Sequence, residues 1–291
     1  MTPTRSRGHR VFQVINAVIL TGVVIVTLYP FVNIIARSFS DERYILSGQV
    51  NLVPRGFNLT TYRIVISDPM FWTNYANTVV YTVVATAIAM TLTTCYAYVL
   101  SKKHLKGRTV LIWVAIFTMI FSGGLIPQYV LVNGLGLTNS IWAIVLPNAI
   151  SVFNLLVMKT FFENLPSELE EAAAIDGLNT YGILARIVLP LSKAVIATMV
   201  LFYAVSFWNS WFTAFLYLNE AELFPVTIYL RNLIAGATGA ESAGAITAEV
   251  SQAAANIQSV AITLTVLPIL AVYPFVQRYF VSGVMLGAVK G

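Results

Sequence analysis

The chain has 291 residues, 58% of them hydrophobic and 10% charged, with a net charge of +5. A soluble domain carries about 25% charged residues, so this much apolar surface requires lipid as part of the solvent. One cysteine, Cys95, excludes an internal disulfide framework and a cysteine metal cluster. Two histidines, His9 and His104, sit beside basic residues and read as solvated juxtamembrane side chains rather than as ligands or catalysts.

A membrane-crossing helix needs about 20 apolar residues. Six stretches qualify: 11–36, 75–100, 110–132, 141–162, 194–218 and 257–280. The first has too long an apolar run for a signal peptide and no small-residue cleavage site after it, so it reads as a retained span. Pro30, Pro127, Pro147, Pro268 and Pro274 predict kinks in or near spans. Cytoplasmic loops attract Lys and Arg. With the N-terminus inside, 12 of the 17 basic residues fall on the cytoplasmic side, and the "SKKHLKGR" turn (Ser101–Arg108) is the strongest anchor. The expectation is an all-α integral membrane protein with six transmembrane helices and both termini cytoplasmic. The outside loops, 38–74 and 219–256, are long enough to be functional.

Several chemistries are missing. The chain has no G-x-x-x-x-G-K-[ST] phosphate loop, no G-x-S-x-G elbow and no H-E-x-x-H. None of its 12 acids lies inside a predicted span. Proton-driven transporters usually carry such carboxylates. A transport protein built this way is a passive pore or takes its energy from another subunit, and no cofactor is expected in the chain itself. Nor does the basic excess, read as topology, call for nucleic acid.

One charged insert interrupts the apolar pattern. The cytoplasmic loop 163–193 contains "PSELEEAAAIDGLNTYGILARIVLP" (Pro166–Pro190). Ser167 followed by Glu170 predicts a capping box at a helix start. Glu168, Glu170 and Glu171 suit the positive end of the helix dipole. Ala172, Ala173 and Ala174 favour helix and add little bulk. Gly177 suits a left-handed C-cap, and Asn179 or Thr180 suits the start of a second helix ending before Pro190. The result is a bent helix pair. As physics alone it fits a solvated connector or a docking element for another protein.

The spacing E-A-A, three residues, Gly, nine residues, I-x-L-P occurs intact as Glu171-Ala172-Ala173, Gly177 and Ile187-Val188-Leu189-Pro190. It resembles the EAA loop of permease subunits of binding-protein-dependent ABC importers. "LYPFVNIIARSFSD" (Leu28–Asp41), "NTVVYTVVATAIAM" (Asn77–Met90), "AYVLSKKHLKGR" (Ala97–Arg108) and "YFVSGVMLGAVKG" (Tyr279–Gly291) extend the similarity over the chain. They are similar to MalG-type sugar permeases of the LplC/YtcP-like branch, and within it to the second permease subunit of the bacterial alginate importer. Leu178 departs from the Ala that many relatives have after this glycine.

The resemblance implies a type I ABC importer permease fold, not an enzyme: half of a translocation pore, completed by a second homologous permease. Two partner ATPase subunits would carry ATP and magnesium, and a sugar-binding protein would deliver the substrate outside. Glu168, Glu171, Ala172, Ala173, Asp176 and Gly177 would couple to the ATPase, with Glu168 and Glu170 mainly holding the helix start. Val289, Lys290 and Gly291 would run along the ATPase interface, and the 219–256 loop would reach into the binding protein. The branch implies an acidic, uronic oligosaccharide such as alginate, with a neutral oligosaccharide or an exporter or flippase component as alternatives. A membrane enzyme would need a polar catalytic cluster, and none is visible.

Polar side chains in spans tend to face the bundle interior. For the substrate path this selects Asn148, Ser151, Asn154, Asn209, Ser210 and Thr213, with Trp208 and Trp211 as stacking faces for sugar rings. Interhelical hydrogen bonds and interfacial aromatics account for the same residues equally simply. None of these is Lys or Arg, so carboxylate recognition would fall to amides, the binding protein or the other permease.

Overall fold

The computed structural model describes residues 7–242 and 256–271. Among these residues there are helices and loops and no strand. They divide into two units: the residues up to Asp68 with Leu230–Leu267, and Pro69–Tyr229 with the residues from Pro268 on.

The first unit starts with α1 (Arg7–Ser38), which carries from Val11 an apolar stretch with a mean hydropathy of 2.3, none of it buried. A helix that apolar and that bare is solvated by lipid or by another chain. After it come α2 (Glu42–Leu46) and α3 (Thr60–Ser67). Ser40 ties this connection together: its hydroxyl donates to Ala36 O at 2.6 Å and accepts from Arg55 N at 3.0 Å. Its carbonyl accepts from Asn256 Nδ2 at 2.8 Å. Gly56 has φ +62°, and a Cβ there would meet Asp41 and Tyr44 at 2.8 Å, so no other residue fits without movement. The region read as an outside loop is therefore folded.

The second unit is organised on α4 (Pro69–Ser101), 33 residues or about 50 Å long. Proline at its first position costs the helix nothing, because that amide has no partner anyway. Asn74, Thr78, Thr82, Ala85, Ala89, Thr93 and Ala97 are buried at helical spacing. Val79, Val80 and Val83 point outward. Small and hydroxyl residues inside with large apolar residues outside is the pattern of a helix packed in lipid.

Around α4 lie α5 (Arg108–Ile120), α6 (Leu125–Gly134), α7 (Trp142–Val145) and α8 (Val152–Glu163). They are followed by α9 (Ser167–Ile175), α10 (Thr180–Ile183), α11 (Leu189–Leu191), α12 (Lys193–Trp208) and α13 (Trp211–Tyr217). Val226–Ser242 forms α14, which leads from the second unit to the first, and Asn256–Ala271 forms α15.

Among the described residues, α1 and α4 are the unbroken helices long and apolar enough to cross a membrane, and three bent pairs raise the number to five. The predicted 110–132 span bends by 111° at Phe121–Gly124, where Gly124 has φ +91°. The predicted 141–162 span bends by 53° after the 3-10 turn Leu146–Asn148. The predicted 194–218 span stops at Trp208 and restarts at Trp211. The described residues thus hold two unbroken apolar helices, three bent pairs and the shorter apolar α15, and bends are what the prolines predict. Of the stretch 257–280, residues from 272 lie outside the described residues.

Candidate functional site

Gly177 takes φ +85° and closes α9: Gly177 N donates to Ala174 O and Leu178 N to Ala173 O. That is a Schellman-type end, and the αL position explains the glycine. Asn179 then caps α10, its side chain accepting from Gly182 N at 2.8 Å. Both features agree with the sequence reading.

Two others do not. Ser167 is the first residue of α9 rather than its cap; Pro166 occupies the cap position and supplies no side-chain acceptor, so the expected capping box is not formed. Nor does the second helix end before Pro190. A π-turn, Leu184–Val188, precedes Leu189–Pro190–Leu191. The wider π spacing absorbs the proline, which has no N–H and would crowd an α-helical carbonyl. The chain then turns by 86° into α12.

Glu170 does more than favour a helix start. Its carboxylate pairs with Lys102 and accepts from the Tyr98 hydroxyl at 3.2 Å, and Lys102 lies 4.0 Å over the Tyr98 ring. Glu163 pairs with Arg108 and, at 2.8 Å, with Lys159, while Arg108 Nε donates to Leu100 O at 2.7 Å. These groups are all mostly buried. Two residues of the basic turn are therefore clamps joining the ends of α4 and α5 to α8 and α9.

What remains outward defines a surface. Glu168, Glu171, Ala172, Ala174, Asp176 and Gly177 are exposed, whereas Ala173 is buried and packs inward. Ile175 is 87% exposed and Tyr181 82% exposed, with Leu169 also outward. Large apolar side chains bared together beside acids mark a protein contact. Sequence reasoning passed over Ile175 and Tyr181, although both lie inside the motif.

The second feature is a pocket of about 270 Å³ where the α7–α8 pair bends. Pro147, Asn148, Ser151 and Asn154 line one side, and Tyr203 and Ser206 of α12 the other. The Tyr203 hydroxyl accepts from Ser151 N at 2.9 Å and is hydrogen-bonded to the Thr93 hydroxyl at 2.6 Å. Ser151 caps α8 by accepting from Asn154 N. Three predicted path residues thus share one pocket, and Tyr203 and Ser206 join them without having been predicted.

Trp208, Asn209 and Trp211 are elsewhere. Trp208 is 8% exposed, meets Tyr75 edge-on at 5.9 Å and borders an apolar crevice with Val79 and Pro268. Asn209 folds its amide back on Val205 O at 2.8 Å, and Trp211 packs on Phe212 and Phe215. Val289, Lys290 and Gly291 lie outside the described residues, as do residues 243–255 of the 219–256 loop. The described start of that loop is tied to α4: Tyr81 donates to Leu223 O at 2.8 Å and Val226 N to Thr78 Oγ1 at 2.7 Å.

No family model matches the chain. It is 40% identical, over 97% of its length and 99% of the relative's, to the polygalacturonan/rhamnogalacturonan transport system permease protein YtcP of Bacillus subtilis (strain 168). It is 42% identical to Protein LplC of the same strain, over 100% of this chain and 98% of that protein. The chain belongs to the permease subunits of sugar-importing ABC transporters. A solved bacterial ABC transporter, "involved in the import of the acidic polysaccharide alginate", contains a chain 34% identical to this permease. The two superpose with a TM-score of 0.83, over 96% of this chain and 100% of the other.

The fold is therefore that of an ABC importer permease, an integral membrane protein. Such a subunit is not an enzyme; ATP is hydrolysed by a partner subunit. Membership also brings a partner permease and a substrate-binding protein. For this permease, the outward surface on α9 and α10 and the pocket at the α7–α8 bend are the candidate sites for partner and cargo.

Proposed function

We propose that this permease forms half of the import pore for an acidic, uronic oligosaccharide. It takes its energy from ATPase subunits docked on the coupling segment. The carrying observation is the bared surface of α9 and α10, with Ile175 and Tyr181 outward beside Glu171 and Asp176. An apolar patch with an acidic flank suits a cleft with basic residues at its rim. Glu170, held by Lys102 and Tyr98, fastens that surface to α4, so a push on α9 is delivered to the longest helix of the unit. ATP and magnesium act on two partner subunits, and a second homologous permease completes the pore. Val289, Lys290 and Gly291 add a tail contact to the ATPase. Six spans with both termini in the cytoplasm of a bacterial inner membrane place the basic turn and the coupling segment on the same side.

The acidic cargo draws on the relatives: one is named for polygalacturonan and rhamnogalacturonan, and the solved transporter for an acidic polysaccharide. A neutral oligosaccharide is the second reading, favoured by a pocket with no Lys or Arg in its wall. The decisive experiment reconstitutes the transporter with its ATPase and binding protein in vesicles. ATPase stimulation is then compared across oligogalacturonates, alginate oligosaccharides and neutral arabino-oligosaccharides. Stimulation by the uronic sugars alone is expected; stimulation by the neutral ones alone removes the acidic cargo.

A further inference from the structure

A uronic sugar brings a carboxylate for each ring, yet the pocket offers no cation. Its charge-bearing feature is a helix end. The 12-residue α8 begins at the pocket wall, with its cap Ser151 and first-turn Asn154 both lining the space. The first amides of a helix have no acceptor within it. Asn154 N is taken by the Ser151 hydroxyl and Ser151 N by Tyr203. Among the described residues, the amides of Val152 and Phe153 are left without acceptors, although neither residue lines the pocket, so the helix end acts on it through its dipole. The aligned peptide dipoles add a partial positive charge there.

A second observation is independent of the helix end. Asn154 is 5% exposed and lines the pocket, and among the described residues its side-chain amide has no hydrogen-bond partner. A buried carboxamide without partners costs stability unless something else fills its bonding capacity. Phe202 and Phe207 add apolar walls of the kind that sugar C–H faces pack against. The volume, about 270 Å³, is that of one ring rather than of a chain.

We infer that the pocket at the start of α8 is a subsite for one uronic acid ring, with its carboxylate held by the Asn154 carboxamide at the positive end of that helix. Broken helices whose N-terminal ends receive anionic groups are a general solution for transporters, because the dipole attracts the anion without burying a full charge. A full cation would hold each ring of a passing polyanion too tightly; a helix end binds and lets go. This inference rests on the acidic-cargo reading above.

The test uses the complete transporter in vesicles with tri-galacturonate or tri-mannuronate, whichever stimulates it more, and with the carboxyl-reduced form of the same trisaccharide. The unaltered transporter decides the cargo: faster uptake of the reduced form removes the acidic reading. Asn154→Asp against Asn154→Leu decides the subsite, with basal ATPase activity as the check on assembly. Uptake of the acid by Asn154→Asp is expected to fall at least about tenfold below Asn154→Leu, because both lose the amide donor and only the aspartate sets a like charge against the carboxylate. On the reduced sugar the two variants should match wherever it is carried. Equal uptake of the acid by both variants overturns the subsite and leaves the cargo reading standing. Should either Asn154 variant fail to assemble, Ser206→Asp against Ser206→Ala makes the same comparison from the opposite wall.

Discussion

The coupling segment and the polar pocket are both built at breaks in helices, and they are closed by opposite means. The segment is closed locally. Gly177 reverses the chain, its N–H bonded to Ala174 O and that of Leu178 to Ala173 O, and Asn179 restarts it three residues before its partner Gly182. The pocket is closed across the fold, through Tyr203, which is 52 residues from Ser151 and 110 from Thr93. A locally closed bend survives removal from its surroundings and presents a finished surface to a partner. A bend held by distant helices changes when those helices move. That is the property wanted at a site that must open alternately to two sides.

The sharpest way to break this comparison is at Gly177. No atom lies within 4 Å of a Cβ placed there, so a larger residue meets open space and its penalty is conformational. At φ +85° that penalty is about 1–2 kcal/mol for an ordinary L-residue. It adds to new bulk at the exposed tip. Gly177→Leu is expected to abolish uptake while the protein stays in the membrane and basal ATPase activity persists. Gly177→Asn, which tolerates the left-handed region, should keep most uptake. Normal uptake by the leucine variant removes the docking role.

A smaller effect is expected where the segment is fastened. Lys102 and Glu170 are 22% and 21% exposed, sheltered enough for the pair to matter. Lys102→Glu places like charges together and should cost about 1–3 kcal/mol, with weaker coupling. The double reversal Lys102→Glu with Glu170→Lys should recover most of both. Thermal melting of the purified complex and sugar-stimulated ATPase activity read the two effects separately. No recovery in the double variant would mean that the residues contribute independently of their pairing.

These contrasts also explain what could be read from the sequence. The αL glycine and the Asn179 cap are written in adjacent residues, and the structure has them where expected. The Ser167 cap is a local signal too, but Pro166 takes its place and Glu170 turns to Lys102 instead. Such pairing across 68 residues leaves no trace in a window of ten. Hydropathy found the apolar stretches but not their breaks: Phe121–Gly124 and Asn209–Ser210 are as compatible with a span as with a corner. Asn148, Ser151 and Asn154 stand out in the sequence because polarity inside a span is conspicuous, and the structure brings them to one pocket. Trp208 lies outside the polar pocket and packs on Tyr75, because an aromatic can be buried against another ring as easily as it can face a pore. Tyr203 was missed because its hydroxyl matters only through its distant partners.

The finest test is therefore Tyr203→Phe, which leaves the ring and removes the hydroxyl. Ser151 N then loses its acceptor, the Thr93 hydroxyl loses a partner, and α8 loses one tie to α12 at its first turn. An unmade bond in a buried site costs about 1–3 kcal/mol. Melting of the complex should drop accordingly, and the sugar concentration for half-maximal stimulation should rise, since the pocket wall is no longer fixed. Thr93→Val provides the contrast: it removes the other partner but leaves Tyr203 bound to Ser151 N. It should cost stability with little change in sugar dependence. If both variants shift the sugar dependence alike, the tyrosine acts only as a rivet between α4 and α12. If only Tyr203→Phe shifts it, the hydroxyl sets the angle at which α8 presents Asn154 to the pocket.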